Sequence, residues 1–272
     1  MDWLIDYAAL WLLIPFVGLD LVMQARRYYR PRWWRVRATA VSLLAFVVSV
    51  AVTLGWGSLL RDVRLLDGSR LGTIGGAVVG VLLYELVHYA YHRAAHRWDW
   101  LWRASHQLHH SAESIDVWGA YYLHPLDAAL FTTWASLVFF PLLGLSVEAA
   151  IVASLFLSFN SAFQHANIKT PHWLGFIVQR PESHVLHHAR QVQQVNYSDL
   201  PIWDMIFGTF KNPAAVTEVD AGFYDGASSR VGEMLVGVDV TRPAHAWRRL
   251  EGHTPLDGPT PLGMRANAGS NR

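Results

Sequence analysis

Residues 85–110, with the sequence ELVHYAYHRAAHRWDWLWRASHQLHH, contain six of the fourteen histidines of the chain. A second dense group, HVLHH at residues 184–188, repeats the spacing of HQLHH at residues 106–110. Histidines spaced i, i+3 and i+4 share one helical face, where neighbouring imidazoles can bind one ion. A single histidine is just as well explained by hydrogen bonding, but three such groups are not. The spacing therefore predicts a helical metal site, and three facing groups supply enough imidazoles for two ions.

The composition is that of a membrane protein with a sizeable polar portion. Hydrophobic residues make up 52% of the 272 residues and charged residues 16%, against about 25% charged residues in soluble domains. The mean hydropathy is +0.19. A net charge of +1 argues against nucleic acid as a partner. There is no cysteine, so a mixed cysteine and histidine site is excluded.

Three apolar runs in the first half of the chain predict membrane spans. They cover residues 3–23, residues 38–60, and a stretch from residue 71 that ends in the first histidines. The first lacks the features of a cleavable signal peptide. Residues 26–37 contain six arginines and no acid, which predicts a cytoplasmic loop by the positive-inside rule. The third span then brings its histidines out on the cytoplasmic side, and its small residues Gly72, Gly76 and Gly80 favour close helix contact.

A second apolar pair, residues 128–145 and 147–163, predicts a short hairpin, either transmembrane or re-entrant, that leaves and returns on one side. It would deliver His165 beside the other histidines. The predicted fold is an all-α membrane bundle of four to five spans, with a cytoplasmic helical cap that carries the histidine site. We expect one domain over residues 1–210 and a polar C-terminal tail over residues 211–272, disordered at its end.

The three motifs HRAAH, HQLHH and HVLHH resemble the histidine boxes of the fatty acid hydroxylase/sterol desaturase superfamily, whose members are integral-membrane, non-haem di-iron enzymes. The similarity covers residues 84–210 and includes an acid before the first box, FQHAN around His165, and NYSDLPIWDMIFGTF at residues 196–210. The chain departs from the family pattern at Ser198, where glycine is usual, and at His88, where tyrosine is frequent.

The resemblance implies nine metal ligands. For His165, the alternative is an ordinary histidine that binds no metal. Two interpretations are open for His88 and His124: each is either a metal ligand or a group that hydrogen-bonds to a ligand. The ligands are His92, His96, His106, His109, His110, His165, His184, His187 and His188.

Other polar residues have less specific expectations. Glu85 is expected to accept a ring N–H from a ligand imidazole and so orient it. Its alternative is a buried acid paired with Arg93 or Arg103. The remaining histidines have no partner at ligand spacing and are taken as ordinary side chains: His172, His245 and His253.

The function that the resemblance implies is hydroxylation or desaturation of a lipid C–H bond, with two iron ions and O2. Fatty acyl chains, sterol- or hopanoid-like lipids and carotenoids are all compatible substrates. The sequence contains no cytochrome-like segment, no CxxC and no GxGxxG, so we expect a separate electron donor of ferredoxin or cytochrome type. The expected location is a bacterial cytoplasmic membrane, with the active site on the cytoplasmic side.

Two other functions are compatible with a histidine-rich membrane protein. A zinc-dependent hydrolase needs a general base beside its ligands, as in HExxH, but HRAAH has Arg93 at that place. A metal transporter or non-catalytic metal-binding protein would favour ligands near the bilayer midplane, whereas these histidines follow the ends of spans. Metal content and oxygen dependence separate the three functions.

Overall fold

The computed structural model describes residues 8–243, apart from residues 191, 193, 216 and 217. The described chain is helical, and its only β pairing is an isolated bridge between Ala189 and Ala221. The α-helices are α1 (Ala8–Val22), α2 (Trp34–Leu59), α3 (Gly72–Arg97), α4 (Asp99–Leu101), α5 (Gln107–His110), α6 (Pro125–Leu137), α7 (Val147–His165), α8 (Pro181–His187), α9 (Pro201–Phe207) and α10 (Val231–Leu235).

Among the described residues, four helical stretches are long and apolar enough to cross a membrane: Trp34–Leu59, Gly68–Arg97, Pro125–Leu142 and Val147–His165. They confirm the predicted spans from residues 38 and 71 and the hairpin of the last pair. The first predicted span begins at residue 3, outside the described residues, and its described part is the 15-residue helix α1. The all-α membrane fold is therefore confirmed.

The hairpin packs against α3 through small residues. A Cβ atom on Gly76 would lie 3.0 Å from Cβ of Ala149, and one on Gly80 would lie 2.8 Å from Cδ1 of Leu145. These close approaches confirm the predicted small-residue contact at Gly76 and Gly80, while Gly72 has no such neighbour.

One end of the bundle collects the arginine-rich loop and the polar segments that follow the spans. Arg30 and Arg35 pair with Asp20 at the end of α1. The indole of Trp34 donates to Asp116. The backbone N–H of Arg26 donates to Asn167, which follows α7. The arginine-rich loop and the histidine-bearing segments therefore lie at the same end.

Residues 211–243 pack back onto this polar end where they are described. Met234 and Val240 are fully buried in a cluster with Trp34 and Leu108. The side chain of Gln107 donates to the carbonyl of Val238. The domain boundary at residue 210 stays a prediction, and the disorder predicted at the end of the tail falls beyond the described residues.

Candidate metal centre

The nine box and hairpin histidines lie in two adjacent clusters. One donor atom from each member of a cluster is within 4.8 Å of those of all other members. Donors bound to one ion at about 2.1 Å are at most about 4.2 Å apart, so each cluster needs only a small contraction to hold an ion. Cluster A comprises His92, His96, His106, His110 and His187, and cluster B comprises His109, His165, His184 and His188.

The two HxxHH motifs contribute to the clusters reciprocally. In HQLHH the first and last histidines, His106 and His110, belong to cluster A, and the middle one, His109, belongs to cluster B. In HVLHH the assignment is reversed, because the first and last histidines are in cluster B and His187 is in cluster A. Each motif therefore supplies both clusters.

Short distances join the histidines within and between clusters. In cluster A, Nε2 of His92 is 2.9 Å from Nε2 of His106. In cluster B, Nε2 of His184 is 3.2 Å from Nε2 of His165 and 3.0 Å from Nε2 of His188. The rings of His110 and His188 stack across the boundary with centroids 4.3 Å apart. Two bound ions would thus be close neighbours.

Local helix geometry delivers these side chains. His92 and His96 are one turn apart on α3, and His165 is the last residue of α7. Before HQLHH the chain forms a π-helical turn over Trp102–His106. Such a turn shifts the following side chains around the helix axis and is frequent at functional sites. Here it immediately precedes the motif that supplies both clusters.

Hydrogen bonds to Nδ1 determine the tautomers of four ligand histidines. His92 faces the carbonyl of Tyr197 at 2.7 Å, and His187 faces that of Val195 at 2.8 Å. His165 faces the carbonyl of Ser161 at 2.9 Å. In His106 the partner is a carboxylate oxygen of Asp127 at 2.8 Å. These oxygens only accept, so each Nδ1 carries the proton and each Nε2 exposes a lone pair.

The resulting arrangement fits a bound cation. The Nε2 lone pairs of His92 and His106 face each other at 2.9 Å, which is repulsive unless a positive charge lies beside them. Nε2 of His187 and both ring nitrogens of His110 are buried without a hydrogen-bond partner, although buried polar atoms are normally paired. An all-imidazole set suits iron, zinc or copper. The nine residues therefore fit two transition-metal ions.

Burial favours the neutral form, which metal binding requires, for five of these imidazoles. Burial, reinforced by neighbouring histidines, lowers the pKa of His187 to about 3. The same causes lower the pKa of four further box histidines well below 6.5: His109, His110, His184 and His188.

The backbone loop over residues 195–200 holds two of these ligands. Its carbonyls at Val195 and Tyr197 accept from His187 and His92. The carboxylate of Asp204 accepts from the N–H groups of Tyr197 and Ser198 at 2.8 and 2.9 Å. Asn196 is in the left-handed region, with φ of 57°, and its side chain donates to the carbonyl of Ser183. This loop connects α8 to α9 and fixes two imidazoles of cluster A.

The structure places Glu85 against the loop of residues 198–200 and beside His88. One of its carboxylate oxygens accepts from the hydroxyl of Ser198 and the N–H of Asp199, both at 2.8 Å, and from the N–H of Leu200 at 3.3 Å. Three donors of the loop thus occupy this oxygen, and the role of Glu85 in orienting a ligand imidazole stays a prediction. Its only histidine neighbour among its ion pairs is His88, at 3.5 Å. Its partners include neither of the two arginines proposed as alternatives.

The two open histidines lie outside clusters A and B. His88 forms a separate buried group with Glu85 and Asp199. Nδ1 of His124 accepts the N–H of Leu126 and caps helix α6. His172 is exposed near the carbonyl of Asn212, while His245 and His253 are outside the described residues.

Sequence reasoning missed the groups that orient the ligands. Asp127 is fully buried and accepts from His106 and from the hydroxyl of Tyr91. Its signal was an acid in the first turn of a helix beside a histidine-rich stretch. The carbonyls of Val195 and Tyr197 had no signal, because any residue supplies a carbonyl.

A search against protein families and curated sequences gives consistent matches. The model of the family described as fatty acid hydroxylase matches residues 77–209. Ornithine lipid hydroxylase OlsE of Rhizobium tropici is 31% identical over 149 residues, which are 53% of this chain and 44% of that protein. No solved structure matches the chain.

Two further relatives come from eukaryotes. Alkylglycerol monooxygenase of Homo sapiens is 34% identical over 131 residues, covering 46% of this chain and 28% of that protein. Very-long-chain aldehyde decarbonylase GL1-9 of Oryza sativa subsp. indica is 27% identical over 150 residues, covering 54% and 58%. The chain therefore spans about half or less of the length of most of these relatives. The residues matched by the family model contain all nine histidines of clusters A and B.

Proposed function

We propose that this chain, a member of the fatty acid hydroxylase/sterol desaturase superfamily through residues 77–209, oxidises a C–H bond of a lipid with dioxygen. The reaction is hydroxylation or desaturation, with one iron ion in cluster A and one in cluster B. The relatives named for ornithine lipid and alkylglycerol support a lipid substrate.

The observation that carries this proposal is the pair of all-histidine clusters in contact. Nine imidazoles surround two adjacent positions, and no carboxylate is a member of either cluster. A hydrolase would need a general base at this place. Two redox-active iron ions would supply the chemistry of oxygen activation, which d¹⁰ zinc does not.

The residues of this chain prepare the site for that chemistry. Asp127 and the carbonyls of Tyr197 and Val195 hold the Nδ1 protons, so that the Nε2 lone pairs stay available. Burial excludes bulk water from both clusters. Helices α3, α6 and α7 connect the site to the bilayer, from which an apolar substrate can approach.

Electrons come from a separate donor in this proposal. The arginine-rich loop shares the polar end of the bundle with the clusters, and the positive-inside rule assigns that end to the cytoplasm. A ferredoxin- or cytochrome-type protein would reach the site from there. The membrane would be the cytoplasmic membrane of a bacterium.

The test is turnover by the purified protein in lipid nanodiscs with Fe²⁺, a chemical or enzymatic reductant, and O2 or argon. A comparison of lipid extracts from cells with and without the protein identifies the lipid to supply as substrate. We expect an oxidised lipid only with iron and oxygen. His109→Ala removes one ligand from cluster B, and His187→Ala removes one from cluster A, so each should abolish turnover. The exposed control His172→Ala should retain turnover.

Turnover under argon, or full activity with zinc as the only metal, would overturn the oxygenase proposal. The first result would favour a hydrolase. Metal binding without any lipid product under all conditions would favour a metal-binding or transport protein.

A further inference from the structure

A third group of metal-ligating side chains lies beside cluster A. Glu85 and His88 are one turn apart on α3, and Asp199 comes from the loop that orients His92 and His187. One donor atom of each lies within 4.8 Å of the others. Their relative exposures are 0, 8 and 7%, so the group is buried as deeply as the histidine clusters.

Several polar atoms of this group have no hydrogen-bond partner. One oxygen of Glu85 is saturated by three donors, but the other, Oε1, is buried and unpartnered. Nδ1 of His88 is 3.5 Å from Glu85 but makes no hydrogen bond. Beside Asp199, the amide oxygens of Asn160 and Gln164 are likewise unpartnered. Buried polar atoms are rarely left so in a native protein.

The negative charges of Glu85 and Asp199 also require a positive charge nearby. Asp199 accepts from the amide of Gln164, and neither Asp199 nor Glu85 has an arginine or lysine partner among the described residues. Two carboxylates this close in a buried site repel each other, and a bound cation relieves that repulsion.

We propose that Glu85, His88 and Asp199 form a third metal site, which binds one divalent first-row transition-metal ion through two carboxylates and one imidazole. The mixed oxygen and nitrogen donor set favours Mn²⁺, Fe²⁺ or Zn²⁺ over Mg²⁺ or Ca²⁺. It differs from clusters A and B, which contain histidine alone. The ring of His88 stacks on that of His92 with centroids 5.4 Å apart, so the third ion would neighbour cluster A.

The test compares metal content and ion positions in the full chain, purified in detergent without chelators and loaded with Mn²⁺. Asp199→Asn is the decisive variant, because its side-chain partner is only the amide of Gln164 and the loop anchors stay in place. Metal analysis should show three ions per chain in the wild type and two in Asp199→Asn. Crystals of the wild type should show an anomalous manganese peak among the three side chains.

Glu113→Gln provides the matched control. Glu113 is another buried acid with an unpartnered oxygen, but it accepts from the N–H groups of Gly226 and Ser228 and touches no histidine cluster. This variant should keep three ions.

Three results would overturn the third site. They are two ions in the wild type with no anomalous peak at Glu85, an unchanged count in Asp199→Asn, or loss of all ions together in that variant. The first would instead mean that a protonated His88 compensates the two acids. None of these results bears on oxygen-dependent turnover at clusters A and B, so the two proposals fail separately.

Discussion

The carboxylate of Asp127 shows how single side chains prepare the site. One of its oxygens holds the Nδ1 proton of His106, and the other accepts from the hydroxyl of Tyr91 at 2.6 Å. The histidine is thereby locked in the tautomer that turns its Nε2 toward cluster A. A ligand imidazole without such a partner is free to rotate or to change tautomer.

Asp127→Asn should weaken metal binding at cluster A by roughly 10–100-fold. The amide keeps the shape of the side chain but loses the negative charge that holds the Nδ1 proton of His106. Competition with a calibrated chelator measures this loss. Tyr91→Phe is the matched control, since it removes only the second hydrogen bond to Asp127 and should cost less. Equal affinity of Asp127→Asn and wild type would refute the positioning role.

The buried box histidines make the polar end sensitive to acid when metal is absent. Burial lowers the pKa of His187 to about 3, whereas in the unfolded chain it is near 6.5. Below pH 6.5 the unfolded form binds protons that the folded form does not, so stability falls by about 1.4 kcal/mol per pH unit for each such histidine. The loss ends near the folded pKa.

We therefore expect the metal-free protein to resist limited proteolysis above pH 6.5 and to open progressively between pH 6.5 and 3. The metal-loaded protein should open at lower pH, because bound ions compete with protons. Cleavage that does not depend on pH in the metal-free form would contradict this expectation.

At the scale of elements, α3 combines two functions along its length. Its first half packs closely against the hairpin through Gly76 and Gly80, and its second half presents His92 and His96. The position of the first histidine box therefore depends on a contact several turns away. Any change that separates α3 from α7 should displace two ligands of cluster A.

Gly80→Val tests this dependence. The added side chain would meet Leu145 and Phe139, since even a Cβ lies 2.8 Å from the former, and overpacking typically costs about 1–3 kcal/mol. Lower thermal stability in detergent and lower metal content should both be measured. Gly75→Val is the control on the same helix, where a Cβ meets only Leu71 at 3.4 Å. Equal behaviour of both variants would show that the contact has no such role.

The sequence was enough to predict the long apolar helices and to single out the nine histidines that lie in the two clusters, because helical periodicity and hydropathy are local signals. It could not predict which histidine joins which cluster, since this depends on how His109 and His187 are turned by their separate helices. It also gave no sign of the loop of residues 198–200, which supplies three donors to Glu85. Long-range backbone contacts leave no pattern in the residues that make them.

At the scale of the whole molecule, the polarity of the bundle is its main feature. The arginine-rich loop, both clusters and the described part of residues 211–243 lie at one end. The contacts of Arg26 with Asn167 and of Arg37 with Ser228 show this. The opposite end consists of the connection between α2 and α3 and the tip of the hairpin, joined by the N–H of Leu66 to the carbonyl of Leu142.

Single-cysteine labelling can test the orientation, because the chain has no native cysteine. Ser229→Cys and Ser69→Cys each place one thiol at an exposed position, at opposite ends. In intact cells an impermeant maleimide should label Ser69→Cys and should reach Ser229→Cys only after lysis. The reverse pattern would place the metal centre outside the cytoplasm, and labelling of both in intact cells would contradict a single orientation.

The reciprocal use of the two HxxHH motifs has a consequence for assembly. Cluster A lacks His187, and cluster B lacks His184 and His188, until residues 184–188 dock against residues 106–110. Both clusters therefore gain their last histidines in the same event. A growing chain that has not yet released this segment from the ribosome holds four of the five histidines of cluster A and two of the four histidines of cluster B. We therefore expect cluster B to be loaded late, because half of its histidines arrive with this segment, whereas cluster A already has four imidazoles before that step.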